Sequence, residues 1–376
     1  MIDSNVRDKH YRPSFSVRLM QLLHLDPILL LGIGLLMFAG LGVLYSAGDQ
    51  SMELINRQLT RISLALIVML IVTQIPSSTL RFWSPWMYAI GVILLILVLL
   101  MGDIGKGAQR WLDLGIIRFQ PSEMMKLVTP MMVAWYFSEK PLPPSFKTLG
   151  VAAVLILVPT FLIAKQPDLG TALLIFTAGF FVIFLGGMSW RLMMGLGLFV
   201  AAMLPVLWHF MHDYQRGRVM TLLDPQRDPL GAGYHIIQSQ IAIGSGGLYG
   251  RGWLNGSQSH LNFLPETSTD FIFAVFAEEF GLMGGIALLM LYSFIIIRGL
   301  MIAVHGQDTY ARLLGGSLSL TFFVYLFVNV GMVSGILPVV GVPLPLISYG
   351  GTSMVTLMAG FGMLMSVNSH RRLWSK

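Results

Sequence analysis

Basic and aromatic side chains are mixed in one polar segment of the chain, residues 105–123. Lys106, Arg110 and Arg118 stand close to Trp111 there. Such a mixture predicts a segment that lies on a membrane surface with its apolar side down. Positive charge is disfavoured on the outer face of a membrane, so we expect the basic residues to form a cationic site for an anionic headgroup. A plain interfacial anchor is the alternative.

Glu123 and Lys126 follow this segment, three residues apart. Ser122, just after Pro121, could cap the helix that begins there. Residues three apart on a helix share a face, so Glu123 and Lys126 could form an ion pair. The pair then either stabilises its own helix or belongs to the cationic site.

A carboxylate stands where a polar segment of about sixty residues meets a long apolar run. Leu264-Pro-Glu-Thr-Ser-Thr-Asp-Phe-Ile-Phe273 carries it as Asp270. A charge held at the edge of a membrane span costs free energy, so Asp270 is a functional candidate. The alternative is that Asp270 caps the next helix, where negative charge is favoured. Ser268 or Thr269 could cap that helix equally well.

Further acids follow Asp270 inside the apolar run. Asp270, Ala274 and Glu278 recur at every fourth residue, so we expect them on one helix face. Glu278 and Glu279 must face a partner or a wet cavity, because acids inside a span are rarely exposed to lipid.

Three other segments could contribute to the same site. Lys165-Gln-Pro-Asp-Leu-Gly-Thr171 predicts a tight turn in which Asp168 either caps the next helix or lies beside an active site. Arg216 and Arg218 follow the seventh apolar run as further cations. The glycine-rich Gly244-Ser-Gly-Gly-Leu-Tyr-Gly-Arg-Gly252 could bring backbone N–H groups onto phosphate, or could simply form turns.

The segment from Asn329 to Ser353 contains three prolines and several glycines and is apolar throughout. Prolines and glycines at this density predict non-helical backbone at membrane depth. Such backbone is tolerated only when it is buried in protein or lines a cavity.

The composition identifies the class of protein. Hydrophobic residues make up 55% of the 376 residues and charged residues 11%, whereas a soluble domain carries about 25% charged residues. The chain is therefore predicted to be an all-α integral membrane protein, a single domain over residues 1–376. It has 0 cysteines, which excludes disulfides and thiolate chemistry. No clustered basic face suggests nucleic acid.

About ten apolar runs could cross a membrane. They lie near Pro27–Ser46, Arg57–Ile75, Ser84–Met101, Ser122–Ser138, Leu149–Ala164, Thr171–Gly187, Trp190–Met211, Phe271–Gly299, Leu313–Ile336 and Tyr349–Val367. Lys and Arg are more frequent in the short loops on the side of the termini, which predicts cytoplasmic termini. Residues 211–270 then form a large extracytoplasmic loop between the seventh and eighth spans, which places the candidate site on the outer side of the membrane.

Six motifs resemble the shape, elongation, division and sporulation (SEDS) family, and its elongation members most of all. They are Gly107-Ala-Gln-Arg-Trp-Leu-Asp113, Gln120-Pro-Ser-Glu123, Gln166-Pro-Asp-Leu-Gly-Thr171, Asp228-Pro-Leu-Gly-Ala-Gly-Tyr-His235, Pro265-Glu-(three residues)-Asp-Phe-Ile-Phe273 and Pro343-Leu-Pro-Leu-Ile-Ser-Tyr-Gly-Gly351. The resemblance covers essentially the whole chain.

The resemblance implies a peptidoglycan glycosyltransferase of the bacterial inner membrane that polymerises lipid II, a disaccharide-pentapeptide on undecaprenyl diphosphate, during lateral wall elongation. The family's essential aspartate maps onto Asp270, and its glutamate and lysine map onto Glu123 and Lys126. A class B penicillin-binding protein, the elongation transpeptidase, is the expected partner, together with other proteins of the elongation complex.

The implied reaction inverts an α-diphosphate into a β-1,4 link, so it is a single displacement in which Asp270 would act as general base. Cations must stabilise the leaving diphosphate, and Arg110, Lys126, Arg216 and Arg218 are the candidates. The other candidates for substrate binding are Lys106, Asp168, Glu278 and Ser348. The sequence does not establish a cofactor, although Glu123 and Asp270 could help to hold a divalent cation such as Mg²⁺ or Mn²⁺.

Two alternatives belong to other classes of protein. A lipid II flippase would also use many spans, broken helices and buried acids, but the charged groups gather on one side of the membrane. A non-catalytic scaffold for the transpeptidase would not explain Asp270, Glu278 and Glu279 on or near one helix face.

Overall fold

The computed structural model describes residues 23–105, 108–113, 118–211, 213–227, 231–256 and 267–369. In this part the chain is mostly helical, and a helix occupies each of the ten apolar runs. These helices are α1 (Pro27–Ala47), α2 (Met52–Thr73), α3 (Ser77–Met101), α4 (Pro121–Ser138), α5 (Phe146–Lys165), α6 (Leu169–Leu185), α7 (Trp190–Phe210), α10 (Ile272–Val304), α11 (Thr309–Val333) and α12 (Thr352–Ser369). Between α7 and α10 lie α8 (Asp213–Leu223), a 3-10 turn (Pro225–Arg227) and α9 (Ala232–Ser245).

The helices differ in length and hydropathy, the two properties that decide whether a helix can span a membrane. Six of them, α1, α2, α3, α5, α10 and α11, are long and apolar enough. Shorter apolar stretches occur in α6, α7 and α12. The chain is therefore a multi-pass membrane protein, while the total of ten spans and the placement of the large loop stay predictions.

Side-chain caps fix where several helices begin. Asp26, Ser51, Ser145 and Asp308 precede α1, α2, α5 and α11, and each accepts a hydrogen bond from the backbone N–H three residues further on. Such a cap satisfies one of the N–H groups that the first turn of a helix leaves without a partner.

The polar segment after α3 corrects the all-α prediction. It forms three short antiparallel strands, β1 (Asp103–Gly105), β2 (Ala108–Asp113) and β3 (Arg118–Phe119), in the order β1-β2-β3. Glycines at 102 and 105 fit this difference, because glycine disfavours a helix.

Apolar side chains form two large clusters and one small one. The first joins α1, α2, α10 and α12, and the second joins α3, α4, α5 and α6. α11 contributes to both, through Phe322 and Leu314 for example, and also to the small cluster of Leu174, Tyr325, Val328 and Val342. α11 is thus the central helix that holds the two halves together.

α10 is interrupted at Gly281, where φ is 65° and ψ is −164°. A hairpin of residues 246–254 fits into the interruption and replaces the missing helical hydrogen bonds. Its backbone pairs with that of α10 in four contacts: Arg251 N to Glu278 O (3.0 Å), Gly252 N to Glu279 O (3.0 Å), Leu282 N to Gly247 O (2.9 Å) and Met283 N to Leu248 O (3.1 Å). The exchange keeps the broken backbone satisfied, which a membrane helix requires.

The chain between α11 and α12 is not helical, as its prolines and glycines predict. Residues 338–344 have no regular secondary structure, and Val342, Leu344, Leu346 and Ile347 are buried. Buried side chains satisfy part of this backbone, since Asn329 donates to Val342 O (2.8 Å) and Tyr292 donates to Pro345 O just beyond it (2.6 Å). Segment 338–344 is therefore anchored in the protein interior through Val342 and Leu344, while Gly341 is exposed, and it forms the base of the candidate site.

Candidate active site

Asp270 lies in a turn just before α10 and not on the helix. The helix begins at Ile272 after an N-cap at Phe271, and no side chain makes a capping hydrogen bond there. The predicted helix face shared by Asp270, Ala274 and Glu278 is therefore wrong for Asp270, because the helix starts too late. The capping role proposed as the alternative is also absent.

The turn that carries Asp270 is tied to the chain after α11. Ser348 Oγ donates to Thr269 O (2.6 Å), and Tyr349 N donates to Ser268 O (2.8 Å). Leu344 N in turn donates to Ser348 Oγ (2.8 Å). Ser348 thus fixes the backbone beside Asp270, a contact that suits a positioning role as well as the predicted one in substrate binding.

Segment 338–344 brings several of the candidate residues together. A Cβ atom on Gly341 would lie 3.5 Å from Asp270 Oδ2, so the carboxylate stands over this glycine, whose φ is +72°. Val339 O accepts a hydrogen bond from Arg218 Nη1 (2.7 Å). A Cβ atom on Gly170, in the first turn of α6, would lie only 2.8 Å from Val340 O. The first turn of α6 therefore packs directly against this segment.

Glu123 and Lys126 form a buried ion pair in the first turns of α4. Lys126 Nζ lies 2.7 Å from Glu123 Oε1, and side-chain exposure is 6% for the lysine and 11% for the glutamate. The ammonium also stands 5.4 Å from the ring centroid of Tyr325, which packs with Val342. The predicted pair is confirmed, and Tyr325 links it to segment 338–344.

The predicted cap at Ser122 is wrong. α4 begins at Pro121 with Gln120 as its N-cap, and no side chain caps it by a hydrogen bond. The reason is that proline is pre-organised for the first helical position and needs no N–H partner, so the helix starts two residues earlier than a cap at Ser122 would set it.

Asp168 caps a helix and also contacts Arg110, while its place beside an active site stays a prediction. Its Oδ1 accepts from Thr171 N (3.2 Å) and caps α6, which confirms that prediction. Its Oδ2 lies 3.6 Å from Arg110 Nε. Arg110 Nη2 also donates to Pro167 O (2.8 Å), so the strand β2 is attached to the start of α6.

The two arginines of α8 have different surroundings. Arg216 donates through Nε to Trp208 O (2.9 Å) and through Nη2 to His209 O (2.6 Å). A cation bound to the last carbonyls of α7 stabilises the carboxyl end of that helix. Arg218 instead contacts segment 338–344, through Val339 O.

Glu278 and Glu279 are buried at the break in α10, away from the turn of Asp270. Ser245 Oγ donates to Glu278 Oε1 (3.4 Å), whereas Ser46 Oγ and Leu254 N donate to Glu279 Oε1. The hairpin N–H groups of Arg251 and Gly252 are used by the carbonyls of α10. The glycine-rich segment therefore favours the structural alternative over a phosphate cradle.

Lys106 lies outside the described residues. Among the residues that the structure describes, no three His, Asp or Glu side chains are grouped as a metal site. Glu123 is already paired with Lys126, so it is a poor metal ligand in this arrangement.

Sequence reasoning missed Asn329, Gly341 and Tyr325. Asn329 is a polar side chain inside an apolar helix, a signal that could have found it. Gly341 and Tyr325 become visible only when segment 338–344 is placed against α10 and α4.

Comparisons with known proteins agree with the architecture. The family model for the FtsW, RodA and SpoVE cell cycle proteins matches residues 20–373. Peptidoglycan glycosyltransferase MrdB of Escherichia coli (strain K12) is 57% identical over 355 residues, covering 94% of this chain and 96% of that protein. Stage V sporulation protein E of Bacillus subtilis (strain 168) is 35% identical over 368 residues, covering 93% and 97%.

Two solved structures are similar in fold. A chain from a peptidoglycan synthase complex that coordinates polymerization and crosslinking superposes with a TM-score of 0.80 at 31% identity, covering 93% of this chain and 98% of that one. The rod shape determining protein RodA of Thermus thermophilus superposes with a TM-score of 0.69 at 28% identity, covering 92% and 98%.

Proposed function

Because the chain belongs to the FtsW, RodA and SpoVE family, we propose that it is a peptidoglycan glycosyltransferase of lateral cell-wall elongation and that it polymerises lipid II. The observation that carries the mechanism is that several candidate residues lie around one segment, residues 338–344. Asp270, Arg218, the first turn of α6 and, through Tyr325, Lys126 all meet segment 338–344. A base and several cations around one wall suit transfer from a diphosphate.

The proposed reaction is one displacement. Asp270 takes the proton from the C4 hydroxyl of the acceptor N-acetylglucosamine as that oxygen attacks C1 of N-acetylmuramic acid. The bond between C1 and the diphosphate oxygen breaks, and undecaprenyl diphosphate leaves with both electrons. The attack comes from the face opposite the leaving group, so the α-linked donor gives a β-1,4 link.

Arg110, Lys126 and Arg218 are the cations that stabilise the leaving diphosphate in this proposal. Preorganised charges are effective because they do not reorganise during the reaction. Glu123 holds the Lys126 ammonium, and Asp168 holds the Arg110 guanidinium, so two of the three cations have fixed positions. Glu278 is the least supported substrate-binding candidate, because its carboxylate accepts from Ser245 at the end of α9, beside the break in α10.

A cavity beside Lys126 supports a lipid-linked substrate. It measures about 40 Å³ and lies between α4, α11 and α12, with Leu318, Phe361 and Leu364 in its mostly apolar wall. A cavity of this size holds only a few atoms, so a carrier lipid that enters from the side could place only a short part of its chain there, with its diphosphate at the lysine.

We propose cytoplasmic termini and a site on the periplasmic side, because Lys and Arg are concentrated in the loops on the side of the termini. We also propose a class B penicillin-binding protein as the partner. Support comes from the similar chain, which is part of a synthase complex that couples polymerization to crosslinking.

Polymerisation of labelled lipid II by the purified protein tests this function. The protein is assayed with its transpeptidase partner, whose active-site serine is blocked, so that only glycan polymerisation is measured. We expect ladders of glycan strands. A folded complex that yields none, but moves labelled lipid II across vesicle membranes, would support the flippase alternative instead.

A further inference from the structure

Asn329 is a buried amide in the central helix α11, and both of its amide protons are used at the candidate site. Nδ2 donates to Asp270 O (2.9 Å) and to Val342 O (2.8 Å). The side chain is fully buried. One side chain thus binds the backbone of Asp270 and the backbone of segment 338–344 at the same time.

The orientation of this amide follows from its partners. Two carbonyl oxygens can be satisfied only by an NH₂ group, because the amide oxygen has no proton to donate. The oxygen, Oδ1, is buried without a hydrogen-bond partner among the described residues. A buried polar atom without a partner costs about 1–3 kcal/mol. Asn329 therefore destabilises the protein through its oxygen, and its contribution lies in the two hydrogen bonds that its NH₂ group donates.

The two carbonyls flank the contact between Asp270 and Gly341. Val342 is the next residue after Gly341, over which the Asp270 carboxylate stands. Loss of the amide would free the turn of Asp270 to move relative to this glycine. Ser348 Oγ and Tyr349 N donate to the carbonyls of Thr269 and Ser268. Neither of these two hydrogen bonds goes to the carbonyl of Asp270.

We propose that Asn329 is a positioning residue that sets the distance between the Asp270 carboxylate and segment 338–344. The inference rests on the proposed function, since it assigns Asn329 to the same reaction. Misplacing a reacting group by about 1 Å can cost about 100-fold in rate. The effect should appear in kcat, because both hydrogen bonds of the Asn329 amide go to backbone carbonyls beside the base and neither goes to Arg110, Lys126 or Arg218.

The first test compares Asn329→Leu with Ser317→Ala in the full-length protein bound to its partner. Leucine has a similar volume and no donor. Ser317 is a matched control on α11, where its buried hydroxyl donates to Ala178 O on α6 (2.6 Å). We expect Asn329→Leu to lower kcat for lipid II polymerisation by roughly 10–100-fold with KM within about twofold of wild type. Ser317→Ala should keep kcat within about twofold.

A double variant separates positioning from a general loss of stability. Asp270→Glu displaces the carboxylate by one methylene, so the correct placement is lost already. Adding Asn329→Leu to it should then cost much less in kcat than it costs in the wild type. If the two losses multiply, the residues act independently and the inference is wrong.

Asn329→Asp extends the test if Asn329→Leu does not fold. It keeps the shape but can donate at most one proton, so kcat should fall and KM should stay. Unchanged kcat in a folded Asn329 variant, beside active wild type, overturns the positioning role. Inactive wild type would instead contradict the proposed function.

Discussion

Lys126 Nζ lies 2.7 Å from Glu123 Oε1, and both side chains are buried near the start of α4. Breaking a buried ion pair by removing one partner costs about 3–5 kcal/mol, whereas replacing both with apolar groups can be neutral. The pair can therefore be tested for stability and for binding in separate variants.

Lys126→Ala should lower the melting temperature, because it leaves the Glu123 carboxylate buried without its cation. The double variant Glu123→Met with Lys126→Met, in which both partners become apolar, should recover most of this stability. It should still polymerise lipid II poorly, with a raised KM, because the cation for the diphosphate is missing. Melting curves and steady-state kinetics check both parts, and a fully active double variant would limit the pair to a structural role.

Arg218 and Arg216 form a natural comparison, since both are half-buried arginines of α8. Arg218→Gln should lower kcat/KM for lipid II by roughly 10–100-fold, because it removes a charge beside segment 338–344. Arg216→Gln should act mainly on stability, by less than about 1 kcal/mol, since its guanidinium binds carbonyls at the end of α7. Equal losses of activity in the two variants would contradict the distinction.

Asp168→Asn isolates the electrostatic part of the Asp168 site. Asparagine caps a helix about as well as aspartate, so α6 should stay folded. The ion pair with Arg110 is lost, and the guanidinium can then move from its present place. We expect kcat/KM to fall several-fold with a melting temperature within a few degrees of wild type. Asp168→Ala, which loses the cap too, should lower both.

Gly281 should be essential for the fold of α10. Its φ and ψ lie in a region open almost only to glycine, at a cost of about 1–3 kcal/mol for other residues. A Cβ atom there would also lie 2.3 Å from Gly250 N. Gly281→Ala should therefore lower the melting temperature strongly. Gly285→Ala is the control, because nothing lies within 4 Å of its Cβ position, and it should be neutral or slightly stabilising.

The sequence predicted what depends on neighbouring residues. Long apolar runs located the ten helices, the spacing of Glu123 and Lys126 predicted their ion pair, and Asp168 was recognised as a cap. These features follow from periodicity and local hydrogen bonding over a few residues.

The sequence did not predict contacts between distant segments. The hairpin of residues 246–254 fills the break in α10 through backbone hydrogen bonds, and backbone groups have no residue-specific signal. The same holds for Asn329, whose two acceptors are carbonyls of Asp270 and Val342. The small sheet after α3 escaped notice because its mixed polar and aromatic composition also suits a membrane-surface segment.

The central claim is that Asp270 is the general base. The most direct measurement is lipid II polymerisation by wild type, Asp270→Asn and Asp49→Asn, each in complex with the serine-blocked partner. Asp49 is an exposed aspartate at the end of α1 with φ of 52°, a conformation that asparagine tolerates. The account predicts ladders from wild type and from Asp49→Asn, and none from a folded, partner-bound Asp270→Asn. Full-length ladders at wild-type rate from Asp270→Asn would contradict it.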